Sequence, residues 1–120
     1  MKVSDATTLI KTGMPDRIKN TAWADLGCGS GIFTNALASL LGDGGKIYAI
    51  DKEVQDPKIE VAGKIKVQPF KLDFINDEFP FSNLDGILMA NAIHYVKDKP
   101  AFIEKVKKHL KTNGQMIIVE

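Results

Sequence analysis

Three glycines at alternate positions, with an acid shortly before them, constrain this chain more than any other feature. Residues 24–31 read Ala-Asp-Leu-Gly-Cys-Gly-Ser-Gly. The β-prone residues 21–26 lead into this loop, and apolar residues then recur at helical spacing from Ile32 until Gly42. The pattern predicts a strand, a tight loop and a helix whose first amides are free to face a ligand.

Strands alternate with helices along the rest of the chain. Short connections between them favour a parallel sheet with right-handed crossovers. We therefore predict one α/β domain over residues 1–120, with an N-terminal helical segment (1–20) and a three-layer, doubly wound, Rossmann-like core (21–120) of about five parallel strands. The predicted elements are a helix from Ser4 to about Lys11, an amphipathic turn at Arg17 and Ile18, strands at 21–26, 46–50, 64–70, 84–90 and 115–119, a short helix at most around Pro57, and helices at 32–41 and from Pro100 to a stop at Asn113-Gly114.

Composition limits the functional classes. Sixteen basic residues against fifteen acidic ones leave a net charge of +1, so nothing global attracts nucleic acid or an anionic membrane. The single cysteine cannot form an internal disulfide, and the sequence shows neither a secretion signal nor a transmembrane run. We expect a cytoplasmic protein. The acidic pairs have no His or Cys at ligand spacing, so no metal site is predicted.

The glycine spacing separates two classes of nucleotide ligand. A dinucleotide-binding loop, Gly-x-Gly-x-x-Gly, would need a third glycine where this chain has Ile32. Asp25 suits a cation better than a pyrophosphate, and Asp51, which closes the second predicted strand, can accept the hydroxyls of a ribose. An anion at the helix start, a cation near Asp25 and a ribose at Asp51 are together satisfied by S-adenosyl-L-methionine.

These residues resemble the motifs of class I S-adenosylmethionine-dependent methyltransferases, in particular those of the small-molecule branch. The resemblance covers roughly residues 20–120. Its five segments stand in the family's order and spacing: 25–31 as the first motif, Asp51 as the ribose acid, 72–74 as the segment that flanks the adenine, 84–96 as the fourth-strand region and 110–119 as the entry to the fifth strand.

The resemblance implies an enzyme that transfers a methyl group from S-adenosyl-L-methionine to a small-molecule acceptor. Gly27 and Gly29 would admit the methionine moiety, and Asp25 would serve its amino group. Asp73 would accept from the adenine amino group, while Phe74 or residues around the ribose line the ring. The cofactor-binding residues so predicted are Asp25, Gly27, Cys28, Gly29, Gly31, Asp51, Lys52, Asp73, Phe74, Asn91 and Ala92, the last two beneath the sulfonium.

Several candidates also have a purely structural interpretation. Asp73 could cap a local turn, and Cys28 is more typical of a small space-filler than of a nucleophile. His94 and Tyr95 are candidates for the general base that takes a proton from the attacking atom, or they cap the fourth strand. The basic residues within 105–111 favour a solvated helix end over an RNA patch, since the helix dipole alone attracts cations there.

Other functions stay open beside small-molecule methyl transfer. A non-catalytic module could bind the cofactor or assemble with a partner. An RNA or protein methyltransferase would be favoured only by the basic residues, and a nicotinamide oxidoreductase is disfavoured by Ile32.

The family's usual fold has seven strands, and the last two form an antiparallel hairpin beside the fifth. The sequence ends at Glu120, so the resemblance predicts a sheet that lacks this hairpin. The apolar edge at 115–119 would then be uncovered, and proteins normally pair or cover such edges. We expect a second copy, in a homodimer, or a further part of a longer chain to pair there.

Overall fold

A five-stranded parallel sheet with helices on both faces forms the fold. The structure is a computed structural model that describes residues 1–14, 19–53 and 64–120. The strand order β3-β2-β1-β4-β5 is doubly wound, which confirms the predicted fold class. The elements in chain order are α1 (Val3–Lys11), β1 (Ala22–Leu26), α2 (Ile32–Leu40), β2 (Lys46–Asp51), β3 (Lys66–Lys71), β4 (Leu84–Ala90), a 3₁₀ turn (Ile93–Tyr95), α3 (Lys99–Lys107) and β5 (Leu110–Val119).

Two apolar layers sandwich the sheet, which explains why its central strands are apolar on both faces. Helices α1 and α2 pack on one face, where Ile10 and Leu37 join Trp23 of β1. Helix α3 covers the other face, where Phe102 and Val106 belong to a cluster that includes three buried phenylalanines from the segment between β3 and β4. These three are Phe74, Phe79 and Phe81.

Local chemistry accounts for the helix starts. The Asp98 carboxylate caps α3 by accepting from the amide of Ala101 at 3.1 Å, and Pro100 occupies the first turn, where its missing N–H costs nothing. Gly31 stands at the start of α2 with φ of 98°, a left-handed conformation that glycine adopts without strain. The loop therefore turns directly into the helix.

The end of α3 differs from the prediction. The helix ends at Lys107 instead of running to Asn113-Gly114, and β5 begins at Leu110 instead of Gln115. Leu110 pairs with Leu84 at the start of β4, and this cross-strand pairing outcompetes its place on the apolar stripe of α3. An irregularity in the register absorbs residues 111–114, after which Gln115 pairs with Gly86.

The other boundaries move by one or two residues. Helix α1 begins at Val3 with Lys2 before it, so Ser4 lies inside the helix and is not its cap. Strand β2 extends by one residue to include Asp51, because that residue pairs with Lys71 of β3. Strand β1 begins at 22 and β3 covers 66–71. The predicted turn at Arg17 and Ile18, and the interruption around Pro57, lie outside the described residues.

None of the helices in the described ranges is long and apolar enough to cross a membrane.

Candidate functional site

The glycine loop joins β1 to α2 beside the end of β2. The amides of Gly27 and Cys28 both donate to the carbonyl of Ile50, at 2.8 and 2.9 Å. Gly27, Gly29 and Gly31 have φ of 82°, 52° and 98°. All three are left-handed, so side chains at these positions would strain the backbone.

A cleft of about 590 Å³ lies at the carboxyl ends of β1, β2 and β4, beside the point where the strand order reverses. Open α/β sheets bind their ligands at this place. Ile75 and Ala90, which sequence reasoning did not identify, contribute to its wall. The predicted residues that line it are Gly27, Asp51, Lys52, Asp73, Phe74, Asn91, Ala92 and Tyr95. The predicted residues outside its lining are Asp25, Cys28, Gly29, Gly31 and His94.

Asp51 links the glycine loop to the cleft. Its Oδ2 accepts from the Gly29 amide at 2.9 Å, and its Oδ1 accepts from the Glu53 amide at 3.1 Å. Two main-chain donors therefore hold the carboxylate in place. Because each carboxylate oxygen has two acceptor sites, one on each remains for a hydroxyl of a ligand.

Asp25 lies beneath the loop and is almost completely buried, with 1% exposure. Burial raises the pKa of this carboxyl group to about 6; the hydrogen bond from Thr34 lowers it and the charge of Asp51 raises it. The Thr34 hydroxyl donates to Oδ2 at 2.7 Å. Sequence reasoning missed Thr34, although its place two residues into the helix after the glycine loop put it close to β1.

Cys28 is not activated as a nucleophile by its surroundings in this loop. Burial raises the pKa of its thiol to about 12, and the charges of Asp25 and Asp51 raise it as well. The thiol is thus neutral at physiological pH, which agrees with a space-filling role. The same two carboxylates give the loop a negative electrostatic potential, which favours a cationic ligand over a pyrophosphate.

Asp73 adopts the local turn that the sequence left open as an alternative. Its Oδ1 accepts from the amides of Ile75 and Asn76 at 2.9 and 3.3 Å, and its Oδ2 accepts from the Asn76 side chain at 2.9 Å. The hydrogen bond from the Asn76 side chain is the largest of the effects that hold the pKa of Asp73 below its usual range. Asp73 nevertheless also lines the cleft, so the turn and the cleft share this residue.

Lys105 of α3 fastens the loop that carries Asp73 and Phe74. Its ammonium donates to three main-chain carbonyls, those of Phe74 at 3.1 Å, Ile75 at 3.0 Å and Asp77 at 2.7 Å. It also lies 5.0 Å from the centre of the Phe79 ring. A lone lysine on a helix gives no sequence signal for such a role, because the loop it holds is about thirty residues away in the chain.

The basic residues within 105–111 therefore do not form one solvated face. Lys105 turns inward, and His109 Nδ1 lies 2.9 Å from the carbonyl oxygen of Phe81. Lys111 pairs with Asp85 at 3.2 Å. The expectation of a solvated helix end holds for Lys107, which pairs with the exposed Glu104.

The loop after β4 forms the remaining side of the cleft. Asn91 has φ of 56°, and its amide donates to the Val119 carbonyl at 2.6 Å, which ties this loop to the end of β5. Tyr95 is 68% exposed and lines both the cleft and a neighbouring cavity of about 560 Å³. The centroid of the His94 ring lies 4.1 Å from that of the Tyr95 ring, and His94 Nδ1 lies 3.1 Å from Oε2 of Glu120.

Within the described parts of the chain, no group of three or more His, Cys, Asp or Glu residues is arranged to hold a metal ion.

The chain matches a known protein family. A family model described as a methyltransferase domain matches residues 24–116, most of the chain. The matched range begins within β1 and ends within β5, so it contains every residue that lines the cleft. No curated protein sequence matches the chain significantly.

Solved structures with the same fold include methyltransferases from several organisms. An S-adenosylmethionine-dependent methyltransferase of Aquifex aeolicus is 21% identical over 89% of this chain, with a TM-score of 0.67. Haemonchus contortus phosphoethanolamine N-methyltransferase 2, solved with phosphomonomethylethanolamine and S-adenosylhomocysteine, is 18% identical over 96% of the chain, with a TM-score of 0.71. A Haloferax volcanii protein in complex with the Trm112 methyltransferase activator is 21% identical over 98%, with a TM-score of 0.65.

The chain is shorter than these proteins. It spans 58% of the Aquifex protein, 50% of the Haloferax protein and 27% of the Haemonchus protein. The similarity extends through the sheet and its flanking helices.

Proposed function

Because the chain belongs to the methyltransferase-domain family, we propose that it binds S-adenosyl-L-methionine and transfers the methyl group to a small-molecule acceptor. The observation that carries this proposal is the position of Asp51. Its carboxylate accepts from the Gly29 amide at the end of β2, and Asp51 is among the residues that line the cleft, where it would accept from ribose hydroxyls.

The residues of the cleft fit the three parts of this cofactor. Among the described residues, nothing lies within 4 Å of the point where a Cβ of Gly29 would stand, so a ligand has room against the main chain there. Phe74 supplies an aromatic wall for the adenine, and the turn at Asp73 holds a carboxylate for its amino group. Asn91 and Ala92 line the cleft on the β4 side, where we place the sulfonium.

Charge distinguishes this cofactor from a dinucleotide. The charges of Asp25 and Asp51 both act on the loop, where each raises the pKa of the Cys28 thiol beyond the effect of burial. A pyrophosphate would be repelled by them, whereas a sulfonium and an ammonium group would be attracted. The carboxyl group of Asp25 is buried beneath the loop and bonded to Thr34. We therefore propose that its negative charge attracts the amino group of the cofactor without direct contact.

When bound, S-adenosyl-L-methionine would supply a methyl group on a sulfonium, for transfer to a lone pair of the acceptor with a neutral thioether as the leaving group. The chain's residues align the reactants, which can accelerate a reaction by several powers of ten. An acceptor oxygen or nitrogen also loses a proton. We propose His94 and Tyr95 as the groups that receive or relay it, because Tyr95 lines the cleft and His94 packs against it.

Two observations favour a small molecule over RNA. Lys105 and Lys111, which a phosphate backbone would need, already bind carbonyl groups and Asp85 within the fold. The cavity beside Tyr95, at about 560 Å³, is of a size that encloses a small molecule. The Haemonchus protein of the same fold was solved with a small phosphorylated amine.

Isothermal titration calorimetry tests the cofactor assignment. We expect the wild-type chain to bind S-adenosyl-L-methionine and S-adenosylhomocysteine and not to bind NAD⁺. Asp51→Ala should weaken binding by at least tenfold, since a carboxylate that accepts from ribose hydroxyls contributes about 1.5–3 kcal/mol per hydrogen bond. Asp43→Ala, in an exposed turn, is the matched control. Binding of NAD⁺ alone, or unchanged affinity in Asp51→Ala, would contradict the proposal.

Turnover separates an enzyme from a binding module. Transfer of labelled methyl groups into the metabolite fraction of a cell extract supports catalysis on a small molecule. Label in the RNA or protein fraction would indicate the alternative acceptors, and cofactor binding without transfer would indicate a non-catalytic module.

We also propose that residues 1–120 act as one domain in the cytoplasm, joined through β5 to a second strand-bearing partner. The packing of α1 against α2 and β5 supports a single domain. The lone thiol, which is buried, is suited to a reducing compartment. The outer edge of β5 has no paired neighbour among the described residues, so a strand of a second copy or of a longer chain can add there.

A further inference from the structure

Glu120 and His94 form a pair at the carboxyl ends of β5 and β4. One oxygen of the Glu120 carboxylate, Oε1, accepts from the His94 amide at 3.0 Å. The other, Oε2, lies 3.1 Å from Nδ1 of the His94 ring. Both the backbone and the imidazole of His94 are therefore held by one side chain, just beyond the bond from the Asn91 amide to Val119.

This geometry determines which ring nitrogen carries the proton. An ionised carboxylate only accepts hydrogen bonds, so Nδ1 must be the donor in the bond to Oε2. In the neutral imidazole the proton then resides on Nδ1, and Nε2 keeps its lone pair. A neutral imidazole in water prefers the opposite tautomer, with the proton on Nε2.

We propose that Glu120 is a positioning residue that holds His94 in the tautomer with a basic Nε2. This inference rests on the proposed function for its purpose, since it makes His94 the base of the methyl transfer. As the acceptor's lone pair bonds to the methyl carbon and the carbon–sulfur bond breaks, the acceptor proton passes to Nε2, and the imidazolium formed is stabilised by the Glu120 carboxylate.

His94 does not line the cleft itself, but it adjoins residues that do. His94 follows Asn91 and Ala92, which line the cleft. Its ring packs at a tilt of 43° against the ring of Tyr95, which also lines the cleft, with the ring centroids 4.1 Å apart. The His94 side chain is half-exposed, so its free nitrogen is accessible to a proton donor. Among the described residues, no lysine or arginine forms an ion pair with Glu120. The imidazole of His94 is therefore the partner of this carboxylate.

Nitrogen-15 NMR of the histidine rings tests the tautomer without cofactor or acceptor. The chain has two histidines, and the second is an internal reference. His109 Nδ1 lies 2.9 Å from a carbonyl oxygen, which can only accept, so its proton is also on Nδ1. At a pH where both rings are neutral, we expect both to show a protonated Nδ1 and an unprotonated Nε2.

Glu120→Ala should return His94 mainly to the form with the proton on Nε2 and leave His109 unchanged. Glu104→Ala removes another exposed carboxylate, one that pairs with Lys107, and should alter neither ring. Unchanged His109 signals show that the variants are folded. A proton on Nε2 of His94 in the wild-type chain, or no change in Glu120→Ala, would overturn the proposal.

Activity separates this inference from the proposed function. Glu120→Ala should lower kcat by about tenfold or more, part of the 10²–10⁴ that a general base contributes, with cofactor affinity unchanged. A tautomer change with unchanged kcat would refute the role of His94 as base. The expected tautomer in a chain that binds no S-adenosyl-L-methionine would instead refute the proposed function and leave the positioning role of Glu120 standing.

Discussion

The buried carboxyl group of Asp25 lowers the stability of the fold when it is ionised, although the ionised form is the one that attracts a cationic ligand. Its folded-state pKa of about 6 lies above the ordinary value of 3.8, mainly because of burial. A group with a raised pKa favours the folded state when it is protonated and opposes it once it is ionised. The contribution of Asp25 to stability is thus lost as pH rises from about 4 to about 6.

Asp25→Asn should therefore stabilise the chain at neutral pH. The amide keeps an acceptor for Thr34 and removes the cost of a buried charge, so the free energy of unfolding at pH 7 should rise by up to about 3 kcal/mol. Urea unfolding at two pH values measures this. The gain should vanish below about pH 3, where the wild-type carboxyl group is mostly protonated in both the folded and the unfolded state. An equal gain at both pH values would show that the buried charge of Asp25 is not its cause.

Binding of a cationic cofactor should have the opposite dependence on pH. A positive group near Asp25 favours its ionised form, so below about pH 6 binding must release a proton and the affinity should fall, by up to tenfold per pH unit. Titration calorimetry from pH 5 to 8, in two buffers with different ionisation enthalpies, measures affinity and proton release. Asp25→Asn should flatten the profile, and a flat wild-type profile would show that the ligand's charge does not reach Asp25.

At the scale of elements, the loop between β3 and β4 takes its conformation from a helix that follows it in the chain. Lys105 of α3 satisfies three carbonyls of this loop, and Phe74 packs edge-on against Phe102 of the same helix at 5.9 Å. The adenine wall of the cleft is thus built on α3.

Lys105→Met should loosen that loop and weaken S-adenosyl-L-methionine binding. The change keeps the apolar stem and leaves carbonyls without a donor, so we expect about tenfold weaker binding and a lower Tm. Lys107→Met, two residues along the same helix in an exposed pair, is the matched control and should change neither. Hydrogen exchange should rise at residues 73–77 in Lys105→Met only. If both variants weakened binding equally, the weaker binding would come from the removal of a positive charge on α3 and not from the lost contacts to the loop.

The junction of β1 and β4 depends on a glycine. Gly86 pairs with Trp23, and a Cβ at Gly86 would overlap the buried indole ring. Gly86→Ala should cost about 1–3 kcal/mol of unfolding free energy, as overpacked cores do. In Trp23→Leu the added methyl should cost much less, because the ring is gone. A double-mutant cycle measures this coupling, and additive effects would refute the overlap.

At the scale of the whole molecule, β5 is an edge strand to which another strand can pair. Its outer side is unpaired among the described residues, and Ile118 is 43% exposed there. If a second copy pairs along it, light scattering should show a concentration-dependent dimer, and amides 116–119 should be protected from exchange. Ile118→Lys should give a folded monomer. A wild-type monomer with unprotected amides would contradict pairing between copies.

Local patterns in the sequence determined the layered α/β fold, the three glycines with positive φ and the acid at the end of β2, because each depends on neighbours within a few residues. The sequence pattern placed Leu110 in α3, whereas the structure places it in β5, because Leu110 pairs with Leu84. Only the folded sheet supplies that partner. The tertiary structure alone placed Thr34 on Asp25, Lys105 under the loop after β3, and Glu120 on His94. These contacts join residues distant in the chain, and a polar side chain gives no sequence signal of the group it will meet when the sheet closes.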